Sequence, residues 1–403
     1  MQSKSLIALL ILSMLFVSGC WNRRELNELA IAVGIAIDKA GDRYKVSVQV
    51  VEPNEIAGKK GGAVSPVTMY QSTGRSIFEA GRRMTTVSPR KIYYSHLRML
   101  VIGEEVARDG IGNVLDFLSR DHELRTDYFI AVAKHTTAEN TLKILTPIER
   151  IPAVKLYSTL ESSEKAWAPT TTVTLDELLT TLVSSGRQAV LTGLQVIGDQ
   201  KTGEKRQNLQ TVKGNTKLRY SGIAVFKADK LIGWLSEEES KAYAYINNTL
   251  DSTSGVVQCP DGGGIATGEI IRSDTKVKGK MIDQTPHIYI DVRSELNVAE
   301  VQCSIDLTRT DTIAKLEQLT NAKVKTFIER TIKTVQTKYK VDIFGFGEVI
   351  RREDPMAWRT LKHDWDKTFR KVQVHVTVEN KIRRLGTVNN SFIEEMNKAK
   401  QTE

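Results

Sequence analysis

The stretch HIYIDVRSELNV, residues 287–298, alternates apolar and polar side chains along its whole length. One phase holds the apolar residues Ile288, Ile290, Val292, Leu296 and Val298. The opposite phase is polar or half-polar, from Tyr289 and Asp291 to Asn297. A period of two is typical of a strand that buries one face, so this stretch predicts a sheet with a single covered side.

A long helical pattern follows this strand, from Thr312 to Tyr339. Its apolar residues recur at steps of three and four, with lysines between them: Ile313, Leu316, Leu319, Ile328, Ile332, Val335 and Tyr339. Such a stripe is a packing face. The simplest partner for it is the preceding sheet, which predicts an α+β fold for this half of the chain.

Further strands predict a mostly antiparallel sheet in the C-terminal half. Residues 218–236 form a hairpin that turns at Ala228 and Asp229, and other strands lie near 265–280 and 372–378. A short helix is expected over 237–247. We therefore expect a C-terminal α+β domain over residues 217–388, followed by a frayed polar tail over 389–403.

The first half mixes strands and helices in close alternation, which gives a multidomain α+β protein with mixed sheets and packed helices. The run AIAVGIAID and the alternating residues 44–50 predict a hairpin. Helical patterns dominate 136–186, and a strand follows at 190–198. We expect an N-terminal domain over 20–198, with a possible subdomain break near 136–150. The polar, glycine-containing stretch 199–216 is the predicted linker.

The segment LLILSMLFVSGCWNRRELNEL, residues 9–29, begins apolar and turns polar at a cysteine. The apolar run is too short to span a bilayer, but it has the pattern of a secretory signal, predicted here over residues 1–19. Small residues before Cys20 resemble the lipobox of bacterial lipoproteins, which predicts an acylated Cys20 as the new N-terminus. The alternative is an ordinary signal peptide that happens to contain a cysteine.

The chain carries a net charge of +9. Such an excess suits a body held near anionic lipid headgroups, although a generally soluble basic surface explains it equally well. Nucleic acid is an unfavoured partner, because no recognition motif is present. Cys259 and Cys303 most simply are small buried side chains, with a disulfide as the alternative that an exported protein allows.

No catalytic or metal site is predicted, and no cofactor is implied. Ser162 and Lys165 fit an S-x-x-K pattern and residues 201–203 read K-T-G, but the third element of penicillin-recognising enzymes is missing between them. The glycine-rich DGGGIATG is most simply a turn. His363 and Asp364 form the nearest approach to a ligand cluster, yet neighbouring helical residues point in different directions. The sequence therefore favours a protein that is not an enzyme.

Three segments carry a family resemblance: CWNRRELNELAIAVGIAID, SHLRMLVIGEEVARDGIGNVLDFLSRD, and KYKVDIFGFGEVIRREDPMAWRTLKHDWDKTF with the later VENKIRRLG. Together they resemble the C subunits of bacterial spore nutrient germinant receptors, the Ger(x)C family, from Cys20 to about Gly386. The resemblance implies a lipoprotein on the outer face of the inner spore membrane. It also implies two membrane-embedded partners, the A and B subunits, and a role in nutrient-triggered germination without enzymatic activity.

Several residues in these segments are candidate interaction sites. Trp21, Arg23 and Arg24 follow the predicted anchor and are expected at the membrane interface, unless this stretch is only a flexible tether. Packing or partner contact is predicted for a second set: Phe344, Gly345, Phe346, Gly347, Trp358 and Trp365. The two tryptophans would share one face of a continuous helix. An alternative function is a lipid-anchored solute-binding protein that delivers a nutrient to a transporter; it would need doubly wound lobes.

Overall fold

The computed structural model describes residues 28–52, 65–260 and 262–384. The strands in these ranges are β1 (Leu29–Ala40), β2 (Arg43–Val51), β3 (Val67–Gly74), β4 (Lys91–Tyr93), β5 (Met99–Ile102), β6 (Phe129–Ala133), β7 (Val190–Ile197), β8 (Lys217–Lys227), β9 (Lys230–Trp234), β10 (Thr253–Gln258), β11 (Ile265–Ile282), β12 (Thr285–Val301) and β13 (Gln373–Arg384). The helices are α1 (Ile77–Arg83), α2 (Glu104–Asp109), α3 (Gly112–Arg120), α4 (Ala138–Lys143), α5 (Pro152–Ala166), α6 (Leu175–Leu182), α7 (Gln200–Gly203), α8 (Gln207–Gln210), α9 (Glu237–Ile246), α10 (Thr310–Thr334), α11 (Phe346–Glu353), α12 (Pro355–Leu361) and α13 (Trp365–Phe369).

Nine strands form the larger sheet within these ranges, in the order β3-β2-β1-β5-β6-β7-β8-β9, with β4 paired to the start of β1. The central strands β1, β5, β6 and β7 run parallel, and both edges are antiparallel. β1 and β2 form the predicted hairpin, whose turn places Gly41 at a φ of +64°. A central strand is buried on both faces, which explains the unbroken apolar run in β1.

Helices cover both faces of this sheet. α1, α2, α3 and α6 pack on one face, against a core that includes Ile35 and Ile37 of β1. α4 and α5 pack on the other face, against Val33 and Ala36. The Asp38 carboxylate at the end of β1 accepts hydrogen bonds from the first two N–H groups of α4, at 2.7 and 2.8 Å. This carboxylate fixes the helix to the strand end.

Residues 217–234, which the sequence places in the C-terminal domain, form β8 and β9 of the larger sheet. The predicted linker 199–216 holds the short helices α7 and α8. Asn208 in this stretch is buried, and its amide donates to the carbonyls of Leu145 and Thr216. Polar composition alone does not separate a solvated linker from a compact loop whose polar groups bond one another.

The smaller sheet lies in the C-terminal half, in the order β10-β11-β12-β13. β10, β11 and β12 are antiparallel and β13 adds parallel to β12, so the predicted α+β fold with a mostly antiparallel sheet is confirmed. α10 packs across one face through Val324, Ile328 and Ile332. Leu319, expected on this stripe, is 38% exposed. The helix ends in a π-helical turn at Val335–Tyr339, followed by a left-handed Lys340.

A disulfide joins Cys259 to Cys303. It links the turn after β10 to the segment after β12, and both cysteines are buried beside Ile305 and Leu316. Gly262–Gly264 of the glycine-rich stretch lie in the connection between β10 and β11, where the N–H of Cys259 donates to the carbonyl of Gly264 at 2.9 Å. The expectation that the two cysteines are unbonded is therefore wrong, and the alternative, a disulfide, is what the structure contains.

Replacing Cys259 with serine should lower the free energy of unfolding by about 2–4 kcal/mol, because the disulfide closes a loop between residues 44 apart. Denaturant unfolding without reductant measures the difference. Cys20→Ser is the matched control and should leave stability unchanged. Equal stability of the oxidised and the fully reduced protein would contradict the disulfide.

Candidate functional site

The predicted site residues fall into two groups. Cys20, Trp21, Arg23 and Arg24 lie outside the described residues. The second set, Phe344, Gly345, Phe346, Gly347, Trp358 and Trp365, lies together between the end of α10 and the start of β13. We call residues 342–347 the aspartate–glycine turn. It connects the π-helical end of α10 to α11.

The aspartate–glycine turn is organised by the Asp342 carboxylate, which is 1% exposed. Its Oδ1 accepts hydrogen bonds from the backbone N–H groups of Phe344 at 3.0 Å and Gly345 at 2.9 Å. Its Oδ2 accepts from the N–H of Gly347 at 2.8 Å and from Nε1 of Trp365 at 3.0 Å. An aspartate that bonds the backbone two and three residues ahead forms an Asx-type turn. Four donors converge on this one carboxylate.

Burial raises the pKa of Asp342 from its ordinary value of 3.8 to about 6, against the opposing effect of hydrogen bonds that include those from Gly347, Trp365 and Gly345. At neutral pH the carboxylate is therefore ionised. The positive end of the α11 dipole faces it, since α11 begins at Phe346. A buried charge with all its acceptor positions engaged is a rigid structural element.

Two glycines let the backbone of the turn pass through a space that excludes a side chain. Gly345 has a φ of +79°, a left-handed conformation that glycine adopts at no steric cost. A Cβ at Gly347 would lie 2.7 Å from the Cα of Gly186 and 2.8 Å from Cη2 of Trp358. It would also lie 2.7 Å from Nε1 of Trp365, the donor to Asp342.

The aromatic side chains around the turn are buried within this chain. Phe344 and Phe346 have ring centroids 5.2 Å apart, and the rings of Trp358 and Trp365 meet edge to face at 5.3 Å. All four side chains are 5% exposed or less. The helix is not continuous between the two tryptophans, because a 3-10 turn at Lys362–Asp364 separates α12 from α13. The rings meet across that break.

The aspartate–glycine turn docks on residues 184–188, which join α6 to β7 of the larger sheet. The N–H of Gln188 donates to the backbone carbonyl of Asp342 at 2.7 Å. Ser184 Oγ donates to Glu348 Oε1 at 2.8 Å, and the backbones of Gly186 and Gly347 are in direct contact. This contact therefore holds the part of the protein built on the smaller sheet, called here the C-terminal half, against the part built on the larger sheet, the N-terminal half.

Arg187 adds a polar clamp at the same junction. Its Nη2 donates to Tyr243 Oη and to Asn247 Oδ1 of the α9 region, each at 2.8 Å. The pKa of Arg187 is raised, chiefly by Tyr243 and also by Glu348 and Asp342. The sequence singled out neither Arg187 nor Asp342. Asp342 precedes Phe344 by two residues and Gly345 by three. An aspartate at this spacing before a glycine is typical of an Asx turn, so the sequence could have identified it.

The chemistry of this arrangement is that of a structural junction. Within 28–52, 65–260 and 262–384, no group of three or more His, Cys, Asp or Glu side chains is placed to hold a metal ion. Lys165 of the S-x-x-K pattern pairs with Glu161 on the exposed side of α5. No helix in these ranges combines the length and apolarity needed to cross a membrane.

Gly347→Ala should destabilise the protein by about 1–3 kcal/mol, because the new methyl group would be forced against Gly186 and two indole rings. Thermal or denaturant unfolding measures the loss. Gly255→Ala is the control, since a Cβ there meets nothing within 4 Å. Equal effects at the two positions would contradict the close packing at residue 347.

Asp342→Asn should change how stability depends on pH. Because the pKa of Asp342 is raised to about 6, the folded state binds more protons than the unfolded chain between about pH 4 and pH 6. The contribution of this titration to stability therefore falls as the pH rises through that window. We expect the unfolding free energy of the wild type minus that of the variant to be larger at about pH 4 than at about pH 7.

Denaturant unfolding of both proteins across this range measures the difference. Asp116→Asn is the control, because exposed Asp116 beside Arg120 has a lowered pKa and its small contribution has the opposite pH dependence. A wild-type advantage at residue 342 that grows toward neutral pH would contradict the raised pKa.

The sequence and the fold of this chain were compared with those of known proteins. Two family models match the chain: the spore germination protein N-terminal domain over residues 22–196, and the domain described as spore germination B3/GerAC like, C-terminal, over residues 221–386. Spore germination protein KC of Bacillus subtilis (strain 168) is 34% identical over 399 residues, which cover 97% of this chain and 98% of that protein.

Other likenesses extend over similar lengths. Spore germination protein B3 of the same organism is 26% identical and covers 96% of this chain and 100% of its own length. The crystal structure of the GerBC protein shares the fold, with a TM-score of 0.54 and 21% identity over 90% of this chain and 99% of that chain. The chain therefore belongs to the Ger(x)C family of spore germination proteins.

Proposed function

We propose that this chain is the lipid-anchored, non-enzymatic C subunit of a spore germinant receptor. In this proposal it acts with the membrane-embedded A and B subunits in nutrient-triggered germination. The observation that carries the proposal is the full-length likeness to spore germination proteins, which extends over both halves of the chain.

The structure of the family-resembling segment supports a role in assembly. The DIFGFGE motif lies inside the protein, where it joins the two halves through Asp342 and Gly347. Its residues serve packing and leave the outer surface for contacts with partners.

The anchor proposed here is an acyl chain on Cys20, which would hold the body on the outer face of the cell membrane or the inner spore membrane. Two or more acyl chains anchor a protein stably, at about 0.8 kcal/mol for each buried methylene. The small residues Ser18 and Gly19 before the cysteine support cleavage at this position.

The alternative function, delivery of a nutrient by a solute-binding protein, is disfavoured by the topology. Such a protein needs two doubly wound lobes of alternating strands and helices. The smaller sheet is instead a meander of β10, β11 and β12 with β13 added at its edge. α10 then packs across one face of that sheet.

Cys20→Ala should release the protein from the membrane fraction of sporulating cells and reduce germination with nutrients. It should also lower recovery of the two membrane subunits when this chain is purified. The physical reason is the loss of the acylation site. Ser18→Ala is the matched control, because it keeps a small residue before the cysteine. Retention of the Cys20→Ala protein in the membrane with normal germination would refute the anchored-subunit proposal.

A further inference from the structure

One surface of the N-terminal half combines exposed cations with exposed apolar side chains. We call residues 75–91, which run from the start of α1 to the start of β4, the arginine face. This segment has five basic residues and one acidic residue, for a net charge of +4: Arg75, Arg82, Arg83, Arg90, Lys91 and Glu79. The whole chain carries +9, and the acidic residues Asp121 and Glu123 adjoin this segment at the groove.

Three of these arginines, Arg75, Arg82 and Arg90, form no ion pair within the part of the chain that the structure describes, although the backbone N–H of Arg75 donates to Glu79. Arg82 and Arg90 are exposed and form no ion pair there. Arg82 lies over the ring of Phe78, 4.9 Å from its centroid. In contrast, Arg83 pairs with Glu79, and Lys91 pairs with Glu123 across the adjoining loop. Arg82 and Arg90 are therefore available to an external anion.

Exposed apolar side chains lie in the same segment as these cations. Phe78 is 53% exposed and Val87 is 60% exposed. Phe78 borders a groove of about 340 Å³ between α1 and α3, where its ring meets Phe117 at 6.2 Å. Exposed aromatic and aliphatic groups among arginines are the composition of surfaces that lie at a membrane interface.

The position of this face in the fold adds a second argument. Leu29 and Ala30, which begin β1, pair with Lys91 and Ile92 of β4, and both β4 residues line the groove. Nine residue steps separate Cys20 from Leu29, a distance of at most roughly 30 Å in a fully extended chain. An acyl anchor on Cys20 would therefore hold this end of the larger sheet near the lipid headgroups.

We propose that the arginine face rests on an anionic phospholipid surface. Arg82 and Arg90 meet lipid phosphates, while Phe78 and Val87 enter the headgroup region. This inference rests on the proposed anchoring at Cys20, and it deepens that proposal by assigning the membrane-facing side of the body. The other possible occupant is an apolar helix of a membrane-protein partner, which the experiment distinguishes.

The test uses the whole chain after the predicted signal peptide, with Cys20→Ser so that no acyl chain contributes. Binding to vesicles of phosphatidylglycerol and phosphatidylcholine is compared with binding to pure phosphatidylcholine by co-sedimentation. We expect binding to the anionic vesicles alone, weakened by salt. The double variant Arg82→Gln, Arg90→Gln should bind at least about tenfold more weakly, because each basic residue near the surface contributes about fivefold.

Lys276→Gln with Lys278→Gln is the matched control, since it removes the same charge from exposed positions on β11. Phe78→Ser and Ile271→Ser make a second pair, because Ile271 is 42% exposed on the same distant strand. Unchanged melting temperatures verify that the variants fold. Equal losses for the arginine and lysine pairs, or no binding to anionic vesicles, would overturn the proposal.

Normal vesicle binding by the arginine variant, together with reduced recovery of membrane subunits from cells, would assign the face to a protein partner and overturn the lipid assignment. The anchoring proposal is tested separately. Mass spectrometry of the N-terminal peptide from cells with intact Cys20 shows whether this cysteine is acylated. An unmodified Cys20 would refute the anchor without altering the vesicle result. The two proposals can therefore fail independently.

Discussion

The contact between the two halves of the protein depends on the hydrogen bonds that the Asp342 carboxylate accepts. The carboxylate is buried, and it collects three backbone N–H groups and one indole N–H over a span of 24 residues. Removing this carboxylate would leave four buried N–H donors without an acceptor. The free-energy cost of that exceeds what a single hydrogen bond contributes to stability. The turn that this carboxylate holds presents Gly347 to Gly186 and the carbonyl of Asp342 to Gln188. One side chain thus sets both the local turn and the contact between halves.

This placement explains why the most distinctive segment of the family resemblance is an interior feature. Its aromatic rings join the core shared by α9, α10 and β12, together with Val190 and Ile223 of the larger sheet. Tyr339 adds another bond across the junction, from its hydroxyl to the carbonyl of Trp234 at 2.6 Å. The motif is therefore buried, and its contacts join the two sheets of the protein.

Much of the architecture could be predicted from the sequence, because periodicity records which face of an element is buried. The alternation in β12 and the stripe in α10 gave the sheet and its covering helix. The pairing of β8 with β7, the parallel addition of β13 and the bond between Cys259 and Cys303 join residues far apart in the chain. No local pattern encodes such partners. The glycines of the turn were recognisable, whereas Arg187 and Ser184, which meet it from the other half, were not.

Native-state hydrogen exchange at the N–H groups of Phe344, Gly345 and Gly347 tests the central claim most directly, namely that the turn locks the two halves into one cooperative unit. The account predicts that these amides exchange only through global unfolding, with the same free energy and denaturant dependence as Ile130 and Ala131 in β6. Exchange of the turn through a lower-energy opening, while β6 stays protected, would contradict it. The halves would then be separate folding units that merely touch.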